Sequence, residues 1–425
     1  MTTDKNPSHL TLTILTFVSM ALVYSSSYFQ RTAVPGQIFN ELQSEGLNGT
    51  EIGWISASFI YVYAICQIFV GVLVDKFCGS RVSAVGGIIL LAGITVFPLC
   101  NSLPLLYISR ATAGIGASCM YLSLVKEIDR MFERKNYAAM MGIAYFFGYG
   151  GGLIGTLPFS KLCQIFPWRN VLLGVAGLSA LFYLFFICCI HKSKLPPVTR
   201  GKLSLRPLLA IMSNPYSWML LFSSSVNFCT YFIIQTVFGK KFLQDFTGMS
   251  GTASAGVIFA LTLVCMFTIL GTGIIVRYTG NNRKPWLIGA SGLILINSLA
   301  MTCSIYFKLP SCFFAIHYIL YAVSAGVPSV FAMSMQELNS RNVITQSTAV
   351  CNMGGYLAVA LMAPLIGFML EKISGNLPGN TTYTQEAYFM LFVIVSAVTL
   401  ISFIVTILIP ETRGHYIKHS VPDRN

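Results

Sequence analysis

Arg31 has the widest chemical reach of any residue in this sequence, because it stands in an apolar stretch where a guanidinium is costly to keep. It follows Tyr24-Ser-Ser-Ser-Tyr28-Phe-Gln30 and precedes Thr-Ala-Val-Pro35. Such an arginine faces a cavity or a polar partner, or it marks the outer end of a shorter apolar run; the residues alone leave both readings open. Further polar side chains recur inside apolar runs and can line a binding cavity: Tyr28, Tyr61, Gln67, Tyr145, Asn227, Tyr231, Gln235, His317, Tyr321, Gln346 and Asn352. Tyrosine offers a ring face and a hydroxyl, while Asn and Gln offer donors and acceptors together. The competing reading is that roughly half of them only bond neighbouring helices.

No Asp or Glu falls near the middle of an apolar run; Glu51 starts one, and Asp75 and Glu337 end others. That argues against a buried-carboxylate proton relay. His317 is then either a titrating group or a hydrogen-bonded packing residue. Uniport, exchange, or symport with the proton carried by the substrate all stay open. The 12 Cys are scattered, without a CxxC pair or a His at metal-ligand spacing, so neither a metal site nor a cofactor is expected. Gly142, Gly148, Gly150, Gly151, Gly152 and Gly155, followed by Pro158, are no phosphate cradle, since no Lys-Ser/Thr follows them. Glycines at such spacing let helices approach and bend.

The elements that must hold these residues are membrane helices. Of 425 residues, 55% are hydrophobic and 10% charged, against about 25% charged in a soluble domain. Apolar spans of roughly 20 residues fall at 10–36, 51–74, 82–100, 103–125, 137–159, 169–190, 216–238, 252–276, 285–307, 310–335, 343–370 and 386–409. Unpaired backbone groups are expensive in hydrocarbon, so each span is expected to be helical. The first run, beginning near His9, reads as helix 1 and not as a removed signal peptide. Twelve spans put both termini on one side, here side A. Of 27 Lys and Arg, 19 lie on side A and six on side B, with Arg31 and Arg110 in or near the membrane. That bias makes side A cytoplasmic and explains the net charge of +13 through topology and anionic lipid, not nucleic acid. A basic, proline-bearing gap at 191–215 separates an amino-terminal bundle, 1–190, from a carboxy-terminal bundle and tail, 216–425. The sequons at Asn48 and Asn380 both fall on side B.

Between spans 2 and 3 the chain reads Gly71-Val-Leu-Val-Asp75-Lys76-Phe-Cys-Gly79-Ser-Arg81. This resembles the Gly-x-x-x-Asp-Arg/Lys-x-Gly-x-Arg signature of the major facilitator superfamily, with one extra residue before Gly79. Gly71 permits close helix contact, Asp75 can pair with a cation, and Gly79 is expected to supply the turn. The resemblance implies a cytoplasmic latch. Arg110-Ala-Thr-Ala-Gly114-Ile-Gly116 in span 4 resembles a second signature, Arg-x-x-x-Gly-x-Gly, with a structural and coupling role and an inward-facing arginine. The glycine-rich span 5, including Gly151, is similar to the fifth helix of other facilitators. The second half echoes the first latch weakly through Gly271, Arg277, Gly280, Arg283 and Lys284, without an acidic residue in that gap. Pro-Glu411-Thr412-Arg413-Gly414 resembles the exit sequence of some sugar facilitators.

The fold implied is an all-α membrane protein of twelve transmembrane helices in two pseudo-symmetric six-helix bundles, working by alternating access. Residues 28–35, with Tyr61-Val-Tyr63-Ala-Ile-Cys-Gln67, look like the anion:cation symporter branch, in which the first-helix arginine helps bind an anion. By that likeness Arg31 receives a carboxylate or phosphate. Span 7 carries no arginine, so a paired-arginine phosphate clamp is disfavoured. The extra residue before Gly79 resembles dipeptide facilitators of lysosomal type, which keeps amino acids and dipeptides as an alternative cargo. A non-transporting receptor of the same fold is a further alternative. A membrane enzyme would show clustered His, Asp, Glu or Cys, and a channel a repeated filter. A monomer in a plasma or inner membrane is expected, meeting lipids, a small organic solute and, in the symport reading, protons.

Overall fold

The structure is a computed structural model that describes residues 7–47, 49–133, 136–193, 206–339, 343–375 and 382–416. The described residues are helices and turns, with no strand among them. They divide into two compact units, Met1–Leu203 and Ser204–Asn425. The first contains α1 (Pro7–Ala33), α2 (Phe39–Ser44), α3 (Gly49–Phe77), α4 (Gly79–Val96), α5 (Leu103–Met131), α6 (Tyr137–Ile154), α7 (Leu157–Ile165) and α8 (Trp168–Lys192). The second contains α9 (Arg206–Ser213), α10 (Pro215–Thr236), α11 (Gly239–Thr247), α12 (Gly251–Tyr278), α13 (Lys284–Tyr306), α14 (Ser311–Ser324), α15 (Pro328–Glu337), α16 (Ile344–Ser374) and α17 (Gln385–Leu408).

Eleven stretches among the described residues are long and apolar enough to cross a bilayer. Helix α5 supplies the twelfth span: its 29 residues suffice in length, but Arg110, Lys126, Glu127, Asp129 and Arg130 make it less apolar. Those charges are tolerable because Arg110 and Glu127 are buried where α5 packs against α3 and α4, while Lys126, Asp129 and Arg130 sit half-buried or exposed in its last turns. Glycine makes that packing close. A Cβ on Gly116 would stand 2.2 Å from the Leu90 backbone nitrogen, and one on Gly114 would stand 2.7 Å from the Phe59 carbonyl.

Two spans are interrupted where the sequence suggests continuity. Span 5 breaks at Gly155-Thr156 ahead of Pro158, and α7 then runs on to Ile165. Span 10 breaks between Ser324 and Pro328. Proline lacks the N–H that would continue the helical ladder, so each new helix starts with proline in its first turn. Of the expected linker 191–215, residues 194–205 lie outside the described residues, as do Asn48 and Asn380 of the two sequons. The described part includes α9, which buries Ile211 among Leu220, Val276 and Leu287.

Candidate functional site

Arg31 lies in the last turn of α1 and is only 6% exposed. Its guanidinium carbon stands 4.2 Å from the Tyr63 ring centre and 5.0 Å from that of Tyr28, and Nη2 is 3.4 Å from Ser27 Oγ. Ring contacts use the faces of the guanidinium, whereas its N–H donors lie in the plane. The same group can therefore hold a carboxylate edge-on while stacked. Tyr28 packs against Tyr149 of α6 with the rings tilted and 4.8 Å between centres, and meets Tyr24 edge-on; Tyr24 in turn contacts Tyr121 of α5. Tyr121 and Tyr145 share a hydroxyl hydrogen bond of 2.6 Å. Tyr121 and Tyr149 are absent from the sequence expectations, and Tyr24 and Tyr63 enter them only within quoted stretches and not as candidate site residues; the four-residue spacings Tyr24/Tyr28 and Tyr145/Tyr149, each one helical turn, are the available signal.

Arg110 is buried and points inward. Its Nη2 donates to the carbonyls of Gln30 at 3.1 Å and Val34 at 2.9 Å, and its guanidinium covers the Phe59 ring at 4.6 Å. These carbonyls belong to the C-terminal end of α1, where a cation complements the helix dipole. They also flank Arg31, so Arg110 fixes the segment that carries it. From the other side α6 closes on α1. A Cβ on Gly151 would stand 2.1 Å from the Ser25 carbonyl, and Thr32 donates to the Gly152 carbonyl at 3.0 Å.

Elsewhere in the first unit, Gln67 is fully buried and donates to the Ser118 carbonyl at 3.3 Å, joining α3 to α5, while Tyr61 is half-buried. In the second unit, Asn227, Tyr231 and Gln235 form a buried strip on α10. Gln346 is buried and Asn352 half-buried on α16. His317 and Tyr321 serve the seam between α13 and α14. His317 Nδ1 meets Asn297 Oδ1 at 2.8 Å, Nε2 meets Ser304 Oγ at 2.9 Å, and the Tyr321 hydroxyl meets Ser298 at 3.0 Å.

At the side-A end of the first unit, Asp75 pairs with Lys126 at 2.7 Å. Gly71 is buried, Lys76 lies over the Phe77 ring, and Arg81 is exposed. The turn itself differs from expectation. Cys78, the extra residue of the motif, carries the positive φ of 70° between α3 and α4. Gly79 instead provides clearance: a Cβ there would meet the Ser123 carbonyl at 2.3 Å. Glu127, which the sequence reading passed over, accepts from the Ser80 N–H at 2.8 Å and pairs with Arg130 at 2.7 Å.

The matching gap in the second unit holds no carboxylate of its own, but two arrive from elsewhere. Glu337, at the end of α15, binds Arg283 at 2.9 Å and accepts from the Thr412 hydroxyl. Glu411, beyond α17, accepts from the backbone N–H groups of Arg283 at 2.8 Å, Lys284 at 2.9 Å and Arg413 at 2.9 Å. It thereby satisfies donors at the start of α13. Burial pushes the Glu411 carboxyl up, but the N–H donors of Arg283, Arg413, Lys284 and Thr412 outweigh it and hold the group below its ordinary value. Among the described residues no three His, Cys, Asp or Glu stand where they could hold a metal ion.

Several curated proteins are similar to this chain. "Probable anion transporter 3, chloroplastic" of Arabidopsis thaliana is 22% identical over 421 residues, 90% of this chain and 78% of that protein. "Probable sulfoacetate transporter SauU" of Cupriavidus necator is 25% identical over 170 residues, 39% of this chain and 40% of that protein. "Uncharacterized transporter YybO" of Bacillus subtilis is 24% identical over 182 residues, 43% of this chain and 41% of that protein. The match thus spans about two-fifths of the length of each bacterial relative. The sequence profile of the Major Facilitator Superfamily matches residues 16–345, well over half of the sequence, and the chain belongs to that family.

Proposed function

We propose that this secondary transporter carries a small organic anion and that Arg31 receives its negative charge. The carrying observation is the buried Arg31 guanidinium held against the faces of Tyr28 and Tyr63 at the end of α1. A charge kept in such surroundings is costly, and a transported anion offsets that cost when it binds. The tyrosine rings favour a solute with some apolar body, such as a monocarboxylate, sugar acid or amino acid, over inorganic phosphate. The names of the chloroplast and Cupriavidus relatives, which refer to anions and sulfoacetate, agree with this class.

Transport proceeds by alternating access of the two six-span units, joined through 191–215, with Asp75–Lys126 and Arg283–Glu337 as side-A ties within each unit. The bias of Lys and Arg towards side A supports a cytoplasmic side A. Counterflow of labelled sulfoacetate and ascorbate into proteoliposomes tests the proposal. Saturable uptake of at least one is expected, with loss in Arg31→Ala and partial retention in Arg31→Lys. Uptake that is the same in Arg31→Ala as in the wild type refutes the assignment of Arg31.

A further inference from the structure

Two buried arginines of the first unit are linked through two rings of α3. Tyr63 and Phe59 lie one turn apart with their rings parallel to within 7° and 6.2 Å between centres. The Arg31 guanidinium carbon sits over the Tyr63 ring at 4.2 Å, and that of Arg110 sits over the Phe59 ring at 4.6 Å. The Gln30 and Val34 carbonyls hold Arg110, so Tyr63 is backed by a ring that a fixed cation pins. Tyr28, the second ring against Arg31, is backed as well. It packs on Tyr149, and a Cβ on Gly152 would stand 2.8 Å from its Cδ1, so α6 leaves it little room to withdraw. Tyr28, Phe59 and Tyr63 are each at most 2% exposed.

Both Tyr28 and Tyr63 turn their π faces to the Arg31 guanidinium. An aromatic face carries the negative part of the ring quadrupole, so it attracts the cation and repels an anion's oxygen. A carboxylate is flat. When it takes two parallel N–H bonds, both oxygens and the first carbon of its body stay in the guanidinium plane, away from the rings. A sulfonate is tetrahedral at sulfur. With two oxygens bonded in the same way, its third oxygen and its organic body leave the plane on opposite sides, where rings that cannot withdraw make the oxygen costly. Ser27 does not relieve that cost. Its hydroxyl proton goes to the Tyr24 carbonyl at 2.8 Å, so Oγ only accepts from Arg31 Nη2 and offers no proton to a third oxygen.

We infer that Tyr28 and Tyr63 make the Arg31 site selective for a planar carboxylate head group, against a tetrahedral sulfonate on the same organic body. This rests on the reading of Arg31 as the anion-binding residue and narrows its substrate class to carboxylates. The selectivity comes from a penalty on the wrong head group more than from added attraction for the right one. It uses residues of the first unit alone.

The test is direct binding to the purified full-length protein by calorimetry at neutral pH, where both head groups are monoanions. The ligands are pairs that share a body: propionate against ethanesulfonate, benzoate against benzenesulfonate, and β-alanine against taurine. The wild type is expected to bind the carboxylate of each pair that binds about tenfold more tightly. Tyr63→Leu and Tyr28→Leu each remove one π face, and in each the ratio is expected to fall to within about threefold. Tyr63→Phe keeps the face and with it the ratio. Arg31→Gln weakens every ligand together. A wild-type ratio near one, or a full ratio kept in both leucine variants, overturns this inference and leaves the anion site standing. Equal binding by wild type and Arg31→Gln overturns the reading beneath it, and absence of binding by every ligand overturns both.

Discussion

The Arg283–Glu337 pair gives the sharpest test of how the second unit is held together. Both residues are buried, at 6% and 7% exposure, and the guanidinium makes two bonds to the carboxylate, at 2.9 and 3.3 Å. Removing one partner of such a pair strands the other charge, at a cost of about 3–5 kcal/mol. For a unit of roughly 200 residues, 1 kcal/mol moves Tm by about 2–4 °C, so Glu337→Leu should lower Tm on the order of 10 °C. Arg283→Met should do the same, since its backbone N–H still reaches Glu411 in the variant. The double variant is the informative one. Replacing both charges with apolar groups strands neither, so it should recover most of the loss. A deficit of about 1 kcal/mol should remain, because the Thr412 hydroxyl loses its acceptor. Thermal unfolding of detergent-solubilised protein, followed by intrinsic fluorescence, reads all three. Single variants that shift Tm by less than about 2 °C, or a double variant that falls as far as the two singles combined, would refute the reasoning.

Three further outcomes are expected. Gly151→Ala should destabilise by more than about 2 kcal/mol, because the new methyl meets the Ser25 backbone, whereas Gly174→Ala, with open space around it, should be neutral or gain up to about 1 kcal/mol; Tm and monodispersity of the two variants check the contrast. Glu411 has a depressed pKa in the folded state, so its contribution is complete above the unfolded carboxylate value of about 4.3 and is lost as pH falls through the folded value; the Tm gap between wild type and Glu411→Gln should therefore close on acidification below about pH 4. Arg110→Gln should loosen the end of α1 and weaken anion binding even though Arg31 is untouched, and binding isotherms that match those of the wild type would contradict that.

The spans, their helical state and the inward turn of Arg110 were legible because lipid imposes a strong rule on sequence: apolar runs of one length, with rare charges that must find partners. Side-chain partners were less legible, since they depend on how each helix is rotated. His317 has the type of a proton carrier, yet its ring is enclosed by Asn297 and Ser304, which lie on a different helix. The tyrosine cluster around Arg31 draws on α1, α3, α5 and α6, and no local pattern announces that these four helices converge. The motif at 71–81 shows the opposite limit. Its extra residue was visible, but only the backbone reveals that Cys78 takes the left-handed turn and that Gly79 is small in order to clear Ser123. The weak echo in the second half lacks an acid within its own loop because Glu337 and Glu411 are delivered from distant parts of the chain.

The placement of Glu411 also sets an order of assembly. The first turn of α13 is made long before residue 411 emerges during synthesis, yet the N–H groups of Arg283 and Lys284 find their acceptor only when that residue arrives. The second unit thus stays unfinished until residue 411 has been made. Shortening the tail past residue 411, or crowding it with a bulky fusion partner, acts on the beginning of a helix some 130 positions earlier.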